Sequence, residues 1–74
     1  MAMIVITNCS VAEHLCAVAS IATQAGKLAC ARDLYVAAAR LYEIAVEHDL
    51  STNGRANLAR LAEAAKTLAE GVVH

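Results

Sequence analysis

Residues 28–48 read LACARDLYVAAARLYEIAVEH. Leu28, Ala31, Tyr35, Ala38, Tyr42 and Ala45 fall three and four apart, which sets them along one face of a helix. A second row, Leu34, Leu41 and His48 with Ile44 nearby, lies beside the first. The apolar arc is therefore wide, as a helix packed on two neighbours requires. Roughly twenty residues at a 1.5 Å rise make a rod of 30 Å.

The flanking sequence supplies the neighbours. On the C-terminal side, DLSTNG (residues 49–54) is a turn by composition, and Ser51, Thr52 or Asn53 can cap the next helix. That third helix is expected over 54–70, with Leu58, Leu61, Ala65 and Leu68 as its seam, continuing to Val72. Gly71 falls where a left-handed C-terminal residue belongs. On the N-terminal side, Gly26 stops a first helix over 10–25. Its seam is Val11, Leu15, Val18, Ala22 and Ala25, and Ser10 with Glu13 forms a capping box at its start. Residues 1–9 contain the β-branched run Ile4, Val5 and Ile6, which favours an extended chain. A strap over the bundle, an edge strand pairing with a second copy, and a mobile end are the readings of this segment. The strap is adopted. The expected fold is all-α: one domain over residues 1–74, an antiparallel three-helix bundle with a short extended N-terminal strap.

Composition agrees. The 74 residues include eighteen alanines, no Pro and three Gly; 59% are hydrophobic and the net charge is -1. Alanine with Leu, Glu, Lys and Arg favours helix, and the turn residues of an all-β fold are missing. Disorder would need lower hydrophobicity and more net charge. Six basic residues scattered among seven acids, and two aromatics, give neither a basic patch nor a stacking platform, so no nucleic-acid partner is expected. Met1 to Ile6 is too short to span a bilayer, and Glu13, His14 and Gln24 interrupt the residues after it, so no membrane insertion is expected. No basic stretch precedes the apolar start, which argues against a secretory signal. Three cysteines, an odd count, fit a reducing compartment, hence the cytoplasm.

Chemistry finds little support. Cys9, His14, Cys16 and Cys30 lack the paired spacing of a zinc site. Cys16 and Cys30 read as small apolar residues between the first two helices. Cys9, just before a helix start, is a candidate reactive thiol. His14, His48 and His74 form no nucleophile–base arrangement; His48 suits the end of the second helix. Glu43 and Glu47 read as a solvated face. Gly26, Gly54 and Gly71 stand alone as helix stops, with no phosphate loop. No catalytic residue, metal or cofactor is expected, and the chain is not expected to be an enzyme.

Two family resemblances rest on these residues. VASIATQAGKLACARDLYVAA (18–38) resembles one tetratricopeptide repeat: Val18-Ala19, Gly26 at the turn, then Leu28, Ala31, Tyr35 and Ala38 meet its pattern. Ala22 stands where that repeat has an aromatic, and its closing Pro is absent. LACARDLYVAAARLYEIAVEHD (28–49) resembles the middle helix of an MIT domain, the microtubule-interacting and trafficking module. LAEAAKTL (61–68) is similar to that family's third-helix motif at Glu63 and Ala65, with Ala64 and Lys66 in place of its arginine and second acid. The MIT resemblance implies a three-helix bundle of this length that binds a peptide helix through its third helix.

The expected function is a small protein-interaction module. A domain this small buries only about 60% of its unfolded surface. Leu34, Leu41, Ile44, Ile21 and Val36 lie off the three seams. A partner helix or peptide is expected in a groove between the second and third helices. Its floor would be Ala38, Ala45, Ala62 and Ala65, its walls Leu41, Leu58, Leu61 and Leu68, with Glu63 and Lys66 flanking. The competing account of those alanines is tight packing of the two helices with no groove left. The alternative function is a self-associating bundle, a homo-oligomer joined through Leu34, Leu41 and Ile44. A Cys-based redox or metal protein is the third.

Overall fold

Alanine decides how close the helices come. Helix separations run from about 8 to 10 Å according to the side chains at the contact. In this computed structural model, which describes residues 2–49 and 51–72 with side chains from Val5 onward, the buried residues are ten alanines, Tyr35, Tyr42 and Leu58. Three helices carry them: α1 (Ala2–Gln24), α2 (Leu28–His48) and α3 (Thr52–Gly71). They form a three-helix bundle in which α2 packs against both α1 and α3. Among the described residues there is no strand. The molecule measures 39 × 18 × 12 Å.

The middle helix places its seam inward as its spacing requires: Ala31, Tyr35, Ala38, Ala39, Tyr42 and Ala45 are buried. Tyr42 joins Ala12 of α1 to Leu58, Ala62 and Ala65 of α3 in one cluster, and Tyr35 joins Ala19 to Ala69 in a second. Gly26 turns α1 into α2 at φ +79°, a conformation that costs other L-residues about 1–2 kcal/mol. At the second turn the Ser51 hydroxyl accepts from the Gly54 N–H at 2.9 Å and caps α3. A Cβ at position 54 would run into the Asp49 carboxylate and the Ser51 hydroxyl.

The N-terminal strap is not there. α1 is helical from Ala2, so the segment expected as extended over 1–9 is helix throughout its described part, and Met1 lies outside the described residues. The β-branched run costs a helix only tenths of a kcal/mol per residue. Against that, Val5 and Cys9 pack on the core and continue the row Ala12, Cys16, Ala19 by two turns. Ser10 and Glu13 thus sit inside α1, and their capping box is not used. Gly71 is the last residue of α3 and is not left-handed; Val72 comes after it in right-handed helical conformation.

The seams of α1 and α3 hold as expected at Ala22, Leu58 and Ala65 and are displaced by one residue elsewhere. Val11, Val18, Leu61 and Leu68 are exposed, and Ala12, Ala19, Ala62 and Ala69 are buried. Ile21-Ala22 and Ile44-Ala45 repeat the pattern. In each pair the larger residue points out and the alanine behind it points in. Small side chains admit a close helix approach, and that contact outweighs the burial of a single larger side chain.

Candidate functional site

The residues expected to form one groove fall into separate places. Ala38, Ala45, Ala62 and Ala65 are 0–4% exposed within the helix contacts, so the floor is covered. Leu58 joins them in the core. Leu41 is half-buried on the α2 flank away from Glu43 and Val46. Leu61 and Leu68, 44% and 49% exposed, share one flank of α3 with Ala64. Glu63 and Lys66 belong to the opposite flank. The arrangement of these alanines matches tight packing of α2 on α3.

On that opposite flank Lys66 spans the two helices. Its ammonium donates to Glu43 Oε2 at 3.1 Å and lies 3.6 Å from Glu63 Oε1. The hydrogen bond and charge of Glu43 hold the Lys66 pKa above its usual value. Such a half-exposed pair sets geometry more than stability. Val46, Ala59 and Ala62 with Glu43, Glu47, Glu63 and Lys66 line an open depression of about 310 Å3. Sequence spacing could not show this link, because Glu43 and Lys66 are distant in the chain.

Burial opposes the thiolate form of Cys9 and Cys16. Cys9 lies within α1, away from any helix start, and burial first, then Glu13 and Asp49, push its pKa up. The expected reactive thiol is thus corrected: the charge that a helix N-terminus would stabilise there is instead disfavoured. Cys16, half-buried against the core, is raised by burial and Glu13. Cys30 is exposed, contrary to the expected packing between α1 and α2. It lies on the outer side of α2, off the buried face. Among the described residues no three His, Cys, Asp or Glu gather as a metal site.

These shifts fix a pH dependence. Tyr42 is raised as well, by burial and then by Cys16, Glu13 and Cys9. In the folded chain all three groups hold their protons where the unfolded chain has released them. Stability is therefore expected to be level below the thiol's ordinary 9.0 and to fall as pH rises past it. Urea midpoints at neutral and alkaline pH under reductant check this; a midpoint that rises with pH would contradict it.

The outer surface carries the large apolar side chains. On α1, Thr7, Val11, His14, Val18 and Ile21 fall four and three apart and are all exposed. On α2, Cys30, Leu34, Ala37, Leu41, Ile44 and His48 repeat the spacing, exposed at Cys30 and Ile44 and half-buried between. Ile21, Leu34, Leu41 and Ile44 were recognisable in the sequence as off-seam residues; Val11 and Val18 were not. Among the described residues one stretch, Val5–Gln24 with mean hydropathy 1.4, is long and apolar enough to cross a membrane.

No family model, curated protein or solved structure matches the chain.

Proposed function

We propose that this chain is a small protein-interaction module that acts by apolar docking, without catalysis or cofactor, in the cytoplasm. The observation that carries the reading is the inversion of size: alanines fill the core while Ile6, Val11, Val18, Ile21, Val36, Ile44, Leu61 and Leu68 remain exposed. Contiguous exposed apolar area on a small domain marks a contact surface. The flank Leu61, Ala64 and Leu68 offers anchors at i, i+3 and i+7 for a partner helix. Glu63 and Lys66 lie across α3 from this flank and take no part.

The test is a photo-crosslinking residue placed at position 61 or 68 of the chain in cells. An adduct with a different protein is expected from both positions and not from Arg40 or Glu47 on the charged edge. A folded chain that gives no adduct from 61 or 68 removes the α3 docking surface. Self-association is the second reading, favoured by the paired outer rows of α1 and α2.

A further inference from the structure

A helix packed on one side carries one largely apolar row at alternating spacings of three and four, with charged and polar residues opposite. Here α1 and α2 each have two. The inner row of α1 (Val5, Cys9, Ala12, Cys16, Ala19) packs on the core. The outer row (Thr7, Val11, His14, Val18, Ile21) keeps the same rhythm in solvent. Between the two rows, Leu15 is half-buried and Ala22 buried, so the outer row borders the covered side of α1. The second row of α2 also faces α1: Leu34 joins the cluster of Ala19 and Cys16. Two outer rows on adjacent antiparallel helices thus form one continuous face.

We infer that this α1–α2 face is the docking surface for a second copy of the same chain, the two pairs of helices closing a four-helix contact. A 3-4 row is the pattern of side chains that interlock with another helix. A helix that spans a bilayer is apolar all round rather than along one row, and one that lies in the interface carries a basic polar face, whereas α1 contains no Lys or Arg. Neither row contains an Asp, Glu, Lys or Arg. The face therefore carries no charge that would select an acidic or basic partner or repel its own twin. Its rim on α2 alternates in sign, Asp33, Arg40, Glu47, one every two turns. A copy shifted by one heptad sets Arg40 beside an acid of its twin, which fixes register more than affinity. One long face of a 39 × 18 × 12 Å molecule is comparable to the roughly 800 Å2 per partner of a stable interface.

The inference rests on the reading that the outer apolar residues are contact residues, but it is tested on the purified chain alone. Sedimentation equilibrium should give twice the 7.7 kDa chain mass at high concentration and the single mass on dilution. Val18→Lys with Ile44→Lys, both at exposed positions, should retain helicity and weaken the dimer about 100-fold or more, since charges would be buried unpaired. Leu61→Lys with Leu68→Lys should leave it intact. Should the first variant lose helicity, a soluble paramagnetic probe on the wild-type chain decides. The Val11, Val18 and Ile44 methyl groups should be shielded in the dimer and reached after dilution, with Leu61 and Leu68 reached in both. A wild-type chain monomeric at every concentration overturns the inference. So does a dimer split only by the α3 variant, or a monomer that sediments with phosphatidylcholine–phosphatidylglycerol vesicles through Val18 and Ile44. A monomer that still cross-links through position 61 would remove the homotypic face and leave the docking module standing.

Discussion

Tyr42→Ala is expected to lower the stability of the bundle by about 3–5 kcal/mol, the usual range for truncating a buried aromatic to alanine. Tyr42 is 4% exposed and is the largest side chain of a cluster otherwise made of Leu58 and alanines. Its buried neighbours apart from Leu58 are alanines, whose methyl groups cannot reach into the gap, while Leu15, Leu41 and Val46 pack at the edge of the cluster. The helices would have to slide together, and the alanine contacts already hold them close. A chain of this size has a total stability of about 4–11 kcal/mol, so the variant should lose from about a quarter of that stability to all of it, and unfolds at room temperature where the total lies at the low end. Urea unfolding followed by circular dichroism measures this. A loss below about 1 kcal/mol would mean that Tyr42 is not the hub of the packing. Tyr42→Phe separates the ring from the hydroxyl: it retains the packing and should cost far less.

Ala38→Leu tests the opposite error. Ala38 is 0% exposed in the same cluster, on the helix that touches both others. Three added carbons have no cavity to enter and must push α1, α3 or both outward. Overpacking ordinarily costs about 1–3 kcal/mol; the upper end is expected here, because one side chain would disturb two helix contacts at once. The control is Val36→Leu, on the same helix at an exposed position, which should change little. If Ala38→Leu stabilised the chain, the close approach of the helices would not be what the alanines provide.

These two residues also show how far the fold could be read from the sequence. In α2 the inner row contains both tyrosines, so size and spacing point the same way and the inward face is unambiguous. In α1 and α3 they disagree. Val11 and Ala12, or Leu61 and Ala62, are adjacent, about 100° apart, and each fits a row of good helical spacing; in α3 both rows pass through Leu58 and Ala65. Periodicity cannot choose between them, and favouring the larger residue selects the outer one. The choice is made by the fit between helices, a tertiary property. The N-terminal segment was missed for a related reason: local preference for extended chain at Ile4 to Ile6 is weak, and the packing of Val5 and Cys9 overrides it. Of the candidate site, the apolar surplus at Ile21, Leu34, Leu41 and Ile44 was legible, and its division among separate flanks was not. The Glu43–Lys66 bridge was equally hidden, since it depends on how α3 is rotated against α2.

A core lined by methyl groups has a thermal consequence. The heat-capacity increment of unfolding grows with the apolar area newly exposed to water, and ordinary domains give about 12–15 cal/mol/K per residue. In the isolated chain Val11, Val18, Ile21 and Ile44 of the outer rows are in large part wetted before unfolding begins. Melting adds alanine methyls, two tyrosine rings, Leu58 and the covered parts of Leu15, Leu34 and Leu41 to the hydrated surface. The increment per residue is accordingly small, and the curve of stability against temperature is shallow. Burial of the outer rows against another molecule would enlarge the increment and bend that curve more strongly.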